Sequence, residues 1–228
     1  MPKQKQNNEH VPVLLKEVLD TLKPEIGDEY LDLTAGYGGH ASEILKLTEA
    51  PATLVDRDIN ALQEAFNSDE VSLMNQDFLS ASTALVEHQK SYDIILADLG
   101  VSSPHLDLAD RGFSINKDGP LDMRMDQSQE TTAADLLNTA DESELIRILR
   151  EYGEEPKAKR IAKLIIENRP LERTHQLAAI VKQAWPGYSR SHPATRTFQA
   201  IRIAVNDELG QLERALPLWV QLLKPNGR

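Results

Sequence analysis

The chain has 228 residues, 40% of them hydrophobic, which is enough to bury a core in one large domain or in one domain with an insertion. It contains no cysteine, which excludes disulfides and thiolate metal sites and suits a reducing compartment such as the cytoplasm. The polar N-terminus and the lack of any long apolar run predict neither a signal peptide nor a membrane span, and the net charge of −11 argues against a nucleic-acid partner unless basic residues segregate.

The first half of the chain alternates between strand and helix patterns. Predicted helices cover Val13 to Leu22, the stretch from a glycine loop to Leu47, and about residues 60–66. Apolar strands are predicted at 29–34, 52–56, 71–75 and 92–97. Strands that alternate with helices indicate an α/β fold built on a doubly wound parallel sheet.

The second half has helical patterns only. Asp141 and Glu144 form a capping-box pattern, and Thr174 is predicted to cap a later helix. The helices are predicted to run from 141 to about 153, from 156 to a point before Pro170, from 174 to 186, and onward from 193. We therefore expect a sheet domain made of residues 1–109 and 192–228, with residues 110–191 inserted as a helical domain that recognises the substrate.

Charge is distributed unevenly along the chain. Residues 156–203 contain ten lysines and arginines, opposed only by Glu167 and Glu172. A basic segment in an acidic protein is typical of a face that meets phosphates, although solvated helix faces would give the same count.

The glycine loop indicates a nucleotide-binding turn. In the sequence D-L-T-A-G-Y-G-G-H, Gly36 and Gly38 follow a strand and precede a helix, and Asp56 ends the second strand twenty residues after Gly36. A carboxylate there can accept both hydroxyls of a ribose. The pattern fits either a dinucleotide or another adenosine cofactor.

Two acidic positions favour S-adenosylmethionine over a dinucleotide. Asp32 lies in the first strand beside the glycine turn, where it suits a ligand with an ammonium and a sulfonium. Asp77 and Phe78 follow the third strand, where a carboxylate and an aromatic ring suit adenine. A pyrophosphate would gain nothing from these acids.

The stretch from Asp98 to Asp126 is a long irregular segment that starts where the fourth strand ends. Long loops after buried strands are usually functional, and ligands of open α/β sheets bind outside the carboxyl ends of the strands. We interpret its second part as a lid that faces the substrate, with Arg124 as a candidate RNA contact and with Met123 and Met125 packed against the core.

The last predicted helix carries a polar stripe formed by Arg196, Gln199, Arg202 and Asn206. Its opposite side is apolar and consists of Phe198, Ile201, Val205 and Leu209. Planar groups with several donors suit phosphates and base edges, so the stripe is predicted to line RNA or the active site.

The motifs together resemble the ribosomal RNA small-subunit methyltransferase H family. The matching segments cover nearly the whole chain, in order: H-V-P-V-L-L-K-E from His10, D-L-T-A-G-Y-G-G-H-A-S from Asp32, V-D-R-D from Val55, D-L-G-V-S-S-P from Asp98, R-G-F-S, G-P-L-D-M-R-M-D up to Asp126, Y-G-E-E from Tyr152, and H-P-A-T-R-T-F-Q-A-I-R-I-A-V-N-D-E-L from His192.

The resemblance implies a class I methyltransferase fold and S-adenosylmethionine-dependent methylation of the N4 amine of a cytidine in the decoding centre of 16S rRNA. The residues implied to contact the cofactor are Gly38, Gly39, His40, Asp56, Phe78, Asp98 and His105. Asp98 is also the best-placed proton acceptor for the reaction, ahead of Asp122 and Ser102. The implied partner is 16S rRNA in the small ribosomal subunit, with no membrane and no metal, and a homodimer is left open.

Two departures from the family pattern stand out. His105 occupies a position where the family usually has glutamine, whose paired amide groups an imidazole lacks. The family also continues beyond the final L-K-P-N-G-R, so we expect a truncated chain in which the C-terminal strands are missing and the fourth strand is an exposed edge. The alternatives are an NAD(P)-dependent oxidoreductase that uses the same glycine turn and a non-catalytic RNA-binding module.

Overall fold

The computed structural model describes residues 12–57, 62–63, 66, 69–100, 108–185 and 192–228. The chain divides into two compact units. The sheet unit comprises Met1–Gly100 and Gln211–Arg228, and the helical unit comprises Val101–Gly210.

The sheet unit contains four parallel strands, which confirms the predicted α/β class. They are β1 (Tyr30–Asp32), β2 (Ala52–Asp56), β3 (Val71–Asn75) and β4 (Ile94–Leu96). Their spatial order is β3-β2-β1-β4, with Tyr30 of β1 paired to Ala52 on one side and to Ile94 on the other. The chain therefore reverses its direction of winding between β1 and β4, which makes their carboxyl ends a topological switch point.

Nine α-helices lie within the described residues. They are α1 (Leu15–Leu22), α2 (Gly39–Thr48), α3 (Phe78–Glu87), α4 (Ala133–Thr139), α5 (Glu142–Glu151), α6 (Ala158–Glu167), α7 (Thr174–Ala184), α8 (Thr195–Val205) and α9 (Glu208–Leu222). A short 3-10 helix covers Ala109–Arg111. Within this part of the chain, no helix combines the length and the apolar character that a bilayer crossing requires.

Both faces of the sheet are covered, which explains why its strands read as apolar runs. Successive residues of β1 point to opposite faces. Tyr30 belongs to a cluster with Ile44 of α2, whereas Leu31 belongs to a second cluster with Leu85 of α3 and Leu222 of α9. The sheet is therefore held between two apolar layers.

The outer side of β4 is not a free edge, contrary to the sequence prediction. The last residues of the chain run alongside it and pair with its backbone. The amides of Lys224 and Arg228 donate to the carbonyl oxygens of Tyr92 and Asp93, each at 2.9 Å, and the amide of Ile95 donates to the carbonyl oxygen of Arg228, also at 2.9 Å. This segment satisfies backbone groups that the sequence pattern left without a partner.

The helical unit has its own core, formed by α4 to α8 and the loop that precedes them. Its buried residues include Leu121, Met123, Leu145, Ile165 and Phe198. Met123 is fully buried and Met125 packs against the same cluster, so both predicted core contacts are confirmed.

The compact units divide at different residues from the predicted domains. The predicted boundaries followed residue 109 and preceded residue 192, whereas the units divide after Gly100 and after Gly210. Helix α8 accounts for the second difference. Its apolar side, with Phe198 and Ile201, packs into the core of the helical unit.

Three details of the helices correct the sequence prediction. Asp141 caps α5 as expected and accepts from the Glu144 amide at 2.8 Å, but Thr174 does not cap α7. The Thr174 hydroxyl is buried and accepts from the amide of Gly119 at 3.0 Å. Helix α8 ends at Val205, so Leu209 lies in α9 and is not part of the apolar side of α8. Finally, α3, α4 and α9 were not predicted.

Candidate active site

The carboxyl ends of the strands carry the acidic side chains that the sequence singled out. Asp32 ends β1, Asp56 ends β2, and Asp98 follows β4. Phe78 begins α3, shortly after β3. Because β1 and β4 are neighbours, Asp32 and Asp98 lie on either side of the switch point.

Asp32 is a buried carboxylate with two protein donors. Asp32 is only 2% exposed to solvent. The Tyr30 hydroxyl donates to Oδ2 at 2.7 Å and the Thr34 amide donates to Oδ1 at 3.1 Å. Burial raises the pKa of this carboxyl from 3.8 to about 6, because loss of hydration outweighs these hydrogen bonds and the nearby His40, and Asp56 adds a repulsive contribution.

Thr34 joins the two sides of the switch point. Its amide binds Asp32, and its hydroxyl oxygen Oγ1 accepts from the amide of Asp98 at 2.6 Å. The side chain of Asp98 is exposed, so the hydrogen bond fixes its backbone while the carboxylate faces solvent. Tyr30, Asp32, Thr34 and Asp98 therefore form one connected set of hydrogen bonds.

The glycine turn is tied to the second strand. Gly36 has φ +56° and its amide donates to Oδ2 of Asp56 at 2.8 Å. Gly38, with φ +75°, precedes the first residue of α2. A Cβ at Gly38 would lie 2.2 Å from Cε2 of Phe66, so the turn requires glycine there for packing as well as for conformation.

His40 and Phe78 are both held by protein contacts. Nε2 of His40 lies 3.0 Å from the carbonyl oxygen of Val13, and a carbonyl partner requires the proton on that nitrogen. The Phe78 ring meets Trp219 edge-on, with ring centroids 5.9 Å apart. Beside Phe78, both carboxylate oxygens of Asp77 accept from Ser80, so Asp77 caps α3.

In the helical unit, Arg124 is engaged within its own loop. Its guanidinium forms a two-point pair with Asp122, with Nε–Oδ1 at 2.7 Å and Nη2–Oδ2 at 2.8 Å. Nη1 donates to the carbonyl oxygens of Gln127 and Gln129. The Arg124 guanidinium also holds the pKa of Asp122 below its usual range. This arrangement favours a structural role for Arg124 over contact with RNA.

The predicted polar stripe on α8 separates into two halves. Asn206 is 1% exposed; its Oδ1 accepts from the Met125 amide at 2.7 Å and its Nδ2 donates to the Met123 carbonyl at 2.8 Å. Arg202 forms a two-point pair with Glu208, at 2.7 and 2.9 Å. These contacts point to internal roles for both residues.

The other half of the stripe is accessible. Arg196 and Gln199 are both exposed. Nη1 of Arg196 donates to the carbonyl oxygen of Glu154 at 2.9 Å, which places one end of its guanidinium beside the Y-G-E-E motif. Arg196 and Gln199 are the two stripe residues that solvent, and hence a ligand, can reach.

Comparison with known proteins assigns the chain to a family. A model of the MraW methylase family matches residues 7–228. The chain belongs to the MraW methylase family.

Relatives of this family member carry a more specific name. Proteins named "Ribosomal RNA small subunit methyltransferase H" are 47% identical over 234 residues in Heliobacterium modesticaldum, 48% over 234 in Syntrophotalea carbinolica and 44% over 229 in Synechocystis sp.. The alignments cover 96% of this chain and 75%, 74% and 75% of the respective relatives. Among solved structures, the apo-form of mycolic acid cyclopropane synthase CmaA1 aligns over 90% of this chain and 80% of its own at 11% identity, with a TM-score of 0.33.

Two contributors to the site of this MraW family member were missed by the sequence reasoning. Tyr30 and Thr34 hold Asp32, and Thr34 also holds Asp98. A signal was available, because residues two apart on a strand point to the same face, which places the Tyr30 hydroxyl beside Asp32. His105, the expected seventh cofactor contact, lies outside the described residues.

Proposed function

We propose that this protein transfers a methyl group from S-adenosylmethionine to the N4 amine of a cytidine in the decoding centre of 16S rRNA. The observation that carries the proposal is the acidic switch point of the sheet, with Asp32 and Asp98 joined through Thr34, in a chain of a methylase family. The shared name of its relatives supports ribosomal RNA of the small subunit as the substrate.

The residues at this edge fit the cofactor by their chemistry. S-adenosylmethionine carries an ammonium and a sulfonium, and a cation beside Asp32 would offset the cost of its buried charge. Gly38, Gly39 and His40 would hold the cofactor at the first turn of α2, and Asp56 would take the ribose hydroxyls while it keeps its bond from Gly36.

Phe78 and Asp98 complete the proposed set. Phe78 would pack against the adenine ring from the start of α3, where Trp219 holds its orientation. Asp98 would accept a proton from the cytosine amine, because its carboxylate is exposed while its backbone is anchored to Thr34. When bound, the cofactor supplies the electrophilic methyl group. One positioned proton acceptor contributes about 10²–10⁴ in rate.

We assign substrate recognition to the helical unit. The sequence-based domain for this role was residues 110–191, and the accessible polar residues of α8 extend it to Arg196 and Gln199. Arg124, Arg202 and Asn206 would support this unit from within.

Methyl transfer from radiolabelled S-adenosylmethionine to small ribosomal subunits lacking the modification tests the proposal, with mass mapping of the labelled nucleotide. Asp98→Asn is expected to lower the rate by about 10²–10⁴ while S-adenosylhomocysteine still binds. Asp20→Asn, which removes an exposed carboxylate on α1, is the matched control and should leave the rate unchanged.

Three outcomes would reject the proposal. Label on another base would reject the N4-cytidine assignment. Calorimetric binding of NADH without binding of S-adenosylhomocysteine would favour an oxidoreductase. If the wild-type protein binds RNA but transfers no methyl group, a non-catalytic RNA-binding module would be favoured.

A further inference from the structure

The structure separates the ten basic residues of the segment 156–203 into different groups. Four of them are engaged with partners inside the helical unit. Arg169 donates to the carbonyl oxygens of Leu137 and Ala140, Arg173 pairs with Asp118, Arg196 donates to the Glu154 carbonyl, and Arg202 pairs with Glu208. Arg169, Arg173 and Arg202 stabilise the unit and have fewer donors left for a ligand, whereas Arg196 uses one nitrogen for its contact and belongs to the accessible half of the α8 stripe. Arg190 lies outside the described residues.

The remaining five form what we call the basic face: Lys157, Lys159, Arg160, Lys163 and Lys182. All five are exposed. Lys163 has a loose pair with Glu167, at 3.8 Å, and the other four have no carboxylate partner within the described part of the chain. An acidic protein that leaves these four cations without a carboxylate partner keeps them available for an anionic partner.

Contacts between α6 and α7 bring part of this basic face together. Nη2 of Arg160 donates to the carbonyl oxygen of Gln183 at 3.3 Å, which places its guanidinium beside the last turn of α7, where Lys182 also lies. Nζ of Lys157 lies 5.4 Å from the centre of the Trp185 ring. Lys159 and Lys163 are four residues apart on α6, on the side opposite buried Ile161 and Ile165.

The chemistry of the basic face favours phosphates over other anionic or apolar partners. Lysine ammonium groups are compact charges that bind phosphate without reading base edges. None of the large apolar side chains that are exposed in the described residues lies between 156 and 185. Protein interfaces and membrane-surface helices are usually anchored by such side chains.

We propose that the basic face binds the sugar–phosphate backbone of the substrate RNA. This inference rests on the proposed function and adds the residues that carry the electrostatic part of RNA affinity. Phosphate contacts position an RNA without specifying its sequence. The basic face would therefore set affinity and register, and the nucleotide would be selected elsewhere.

The test compares Lys159→Ala/Lys182→Ala with Lys46→Ala/Lys90→Ala, a control pair of exposed lysines in the sheet unit. Binding of protein-free 16S rRNA and of small subunits is measured over a range of salt concentrations. Loss of two phosphate contacts should reduce the slope of log K against log salt by about 1.4–1.8. The KM for RNA should rise with kcat unchanged, S-adenosylhomocysteine affinity should stay the same, and the Lys159→Arg/Lys182→Arg variant should retain binding.

Failure of this inference differs from failure of the proposed function. If the wild type methylates RNA and the basic-face variant keeps the wild-type salt slope, the inference is wrong and the function stands. If the variant is impaired on small subunits but not on protein-free rRNA, the face contacts a ribosomal protein, which also overturns the inference. If the wild type neither binds nor methylates RNA, the proposed function itself fails.

Discussion

Replacing Asp32 with asparagine is expected to flatten part of the pH dependence of the stability of the sheet unit. The Asp32 carboxyl has a pKa of about 6 when buried, against an ordinary value of 3.8. Between these values the folded protein holds a proton that the unfolded chain has released. The free energy of unfolding therefore falls as pH rises through this range, because the native state must ionise a buried group.

The magnitude follows from the difference between the two pKa values. At about 1.4 kcal/mol per pKa unit, a pKa difference of about 2 lowers the free energy of unfolding by roughly 3 kcal/mol at neutral pH. About half of this decrease develops between pH 5 and pH 8. Asparagine keeps an acceptor oxygen for the Thr34 amide, and its NH₂ group can donate to the Tyr30 hydroxyl oxygen, so any change in these two hydrogen bonds does not depend on pH. The difference between variant and wild type should therefore shift by about 1.5 kcal/mol in favour of Asp32→Asn over that interval.

The assay is urea unfolding between pH 5 and pH 8, followed by tryptophan fluorescence. The chain has two tryptophans, and Trp219 packs in the sheet unit. In a Trp185→Phe background, Trp219 alone reports on the unit that contains Asp32. Asp20→Asn controls for the change in net charge. If the stability difference between Asp32→Asn and its background stays constant from pH 5 to pH 8, the reasoning about the buried carboxylate is refuted.

Tyr30→Phe provides an independent check on the same carboxylate. Loss of the hydroxyl removes a hydrogen bond to the ionised form, which is worth about 1.5–3 kcal/mol, so the pKa of Asp32 should rise further. The loss of stability should then still begin near the ordinary pKa but continue to higher pH and become larger. In the Asp32→Asn background, Tyr30→Phe should leave the pH dependence unchanged, and any remaining shift would point to another group.

Three further substitutions test the site and its support. Gly38→Ala should destabilise the protein by more than the roughly 1–2 kcal/mol expected for positive φ alone. Gly27→Ala is the control, because Gly27 also has positive φ (+93°) but has nothing within 4 Å of an added Cβ. Equal costs of the two substitutions in urea unfolding would refute the packing argument. Thr34→Val removes the acceptor for the Asp98 amide and should lower kcat for methyl transfer about tenfold with little change in cofactor affinity. Thr34→Ser keeps the acceptor oxygen and should keep wild-type activity. Equal activity of the two variants would exclude a positioning role for Thr34. Asn206→Ala leaves buried backbone groups unpaired and should cost about 2–4 kcal/mol in thermal unfolding; a stable variant with weakened RNA binding would instead return this residue to the RNA-contact set.

The sequence predicted the sheet well because the physical signals involved are local. Central strands of a parallel sheet are buried on both faces, so β1 and β2 stand out as short, largely apolar runs between helical patterns. The acidic residues after these strands were found for the same reason, since carboxyl ends of parallel strands share one edge. The last strand contact was missed, because the pairing of β4 with residues near Arg228 joins segments more than 100 positions apart.

The stripe on α8 shows what only the tertiary structure decided. Helical spacing placed Arg196, Gln199, Arg202 and Asn206 on one polar side, and that periodicity is a property of the sequence. Whether each residue faces a ligand depends on what packs against it. Asn206 is buried because a loop 81 positions earlier brings the Met125 amide to it. By itself the sequence determined which side chains could bind RNA. Tertiary packing decided which of them already have hydrogen-bond partners within the protein, because a buried polar group bonds to whichever partner lies nearest in space, however distant in sequence.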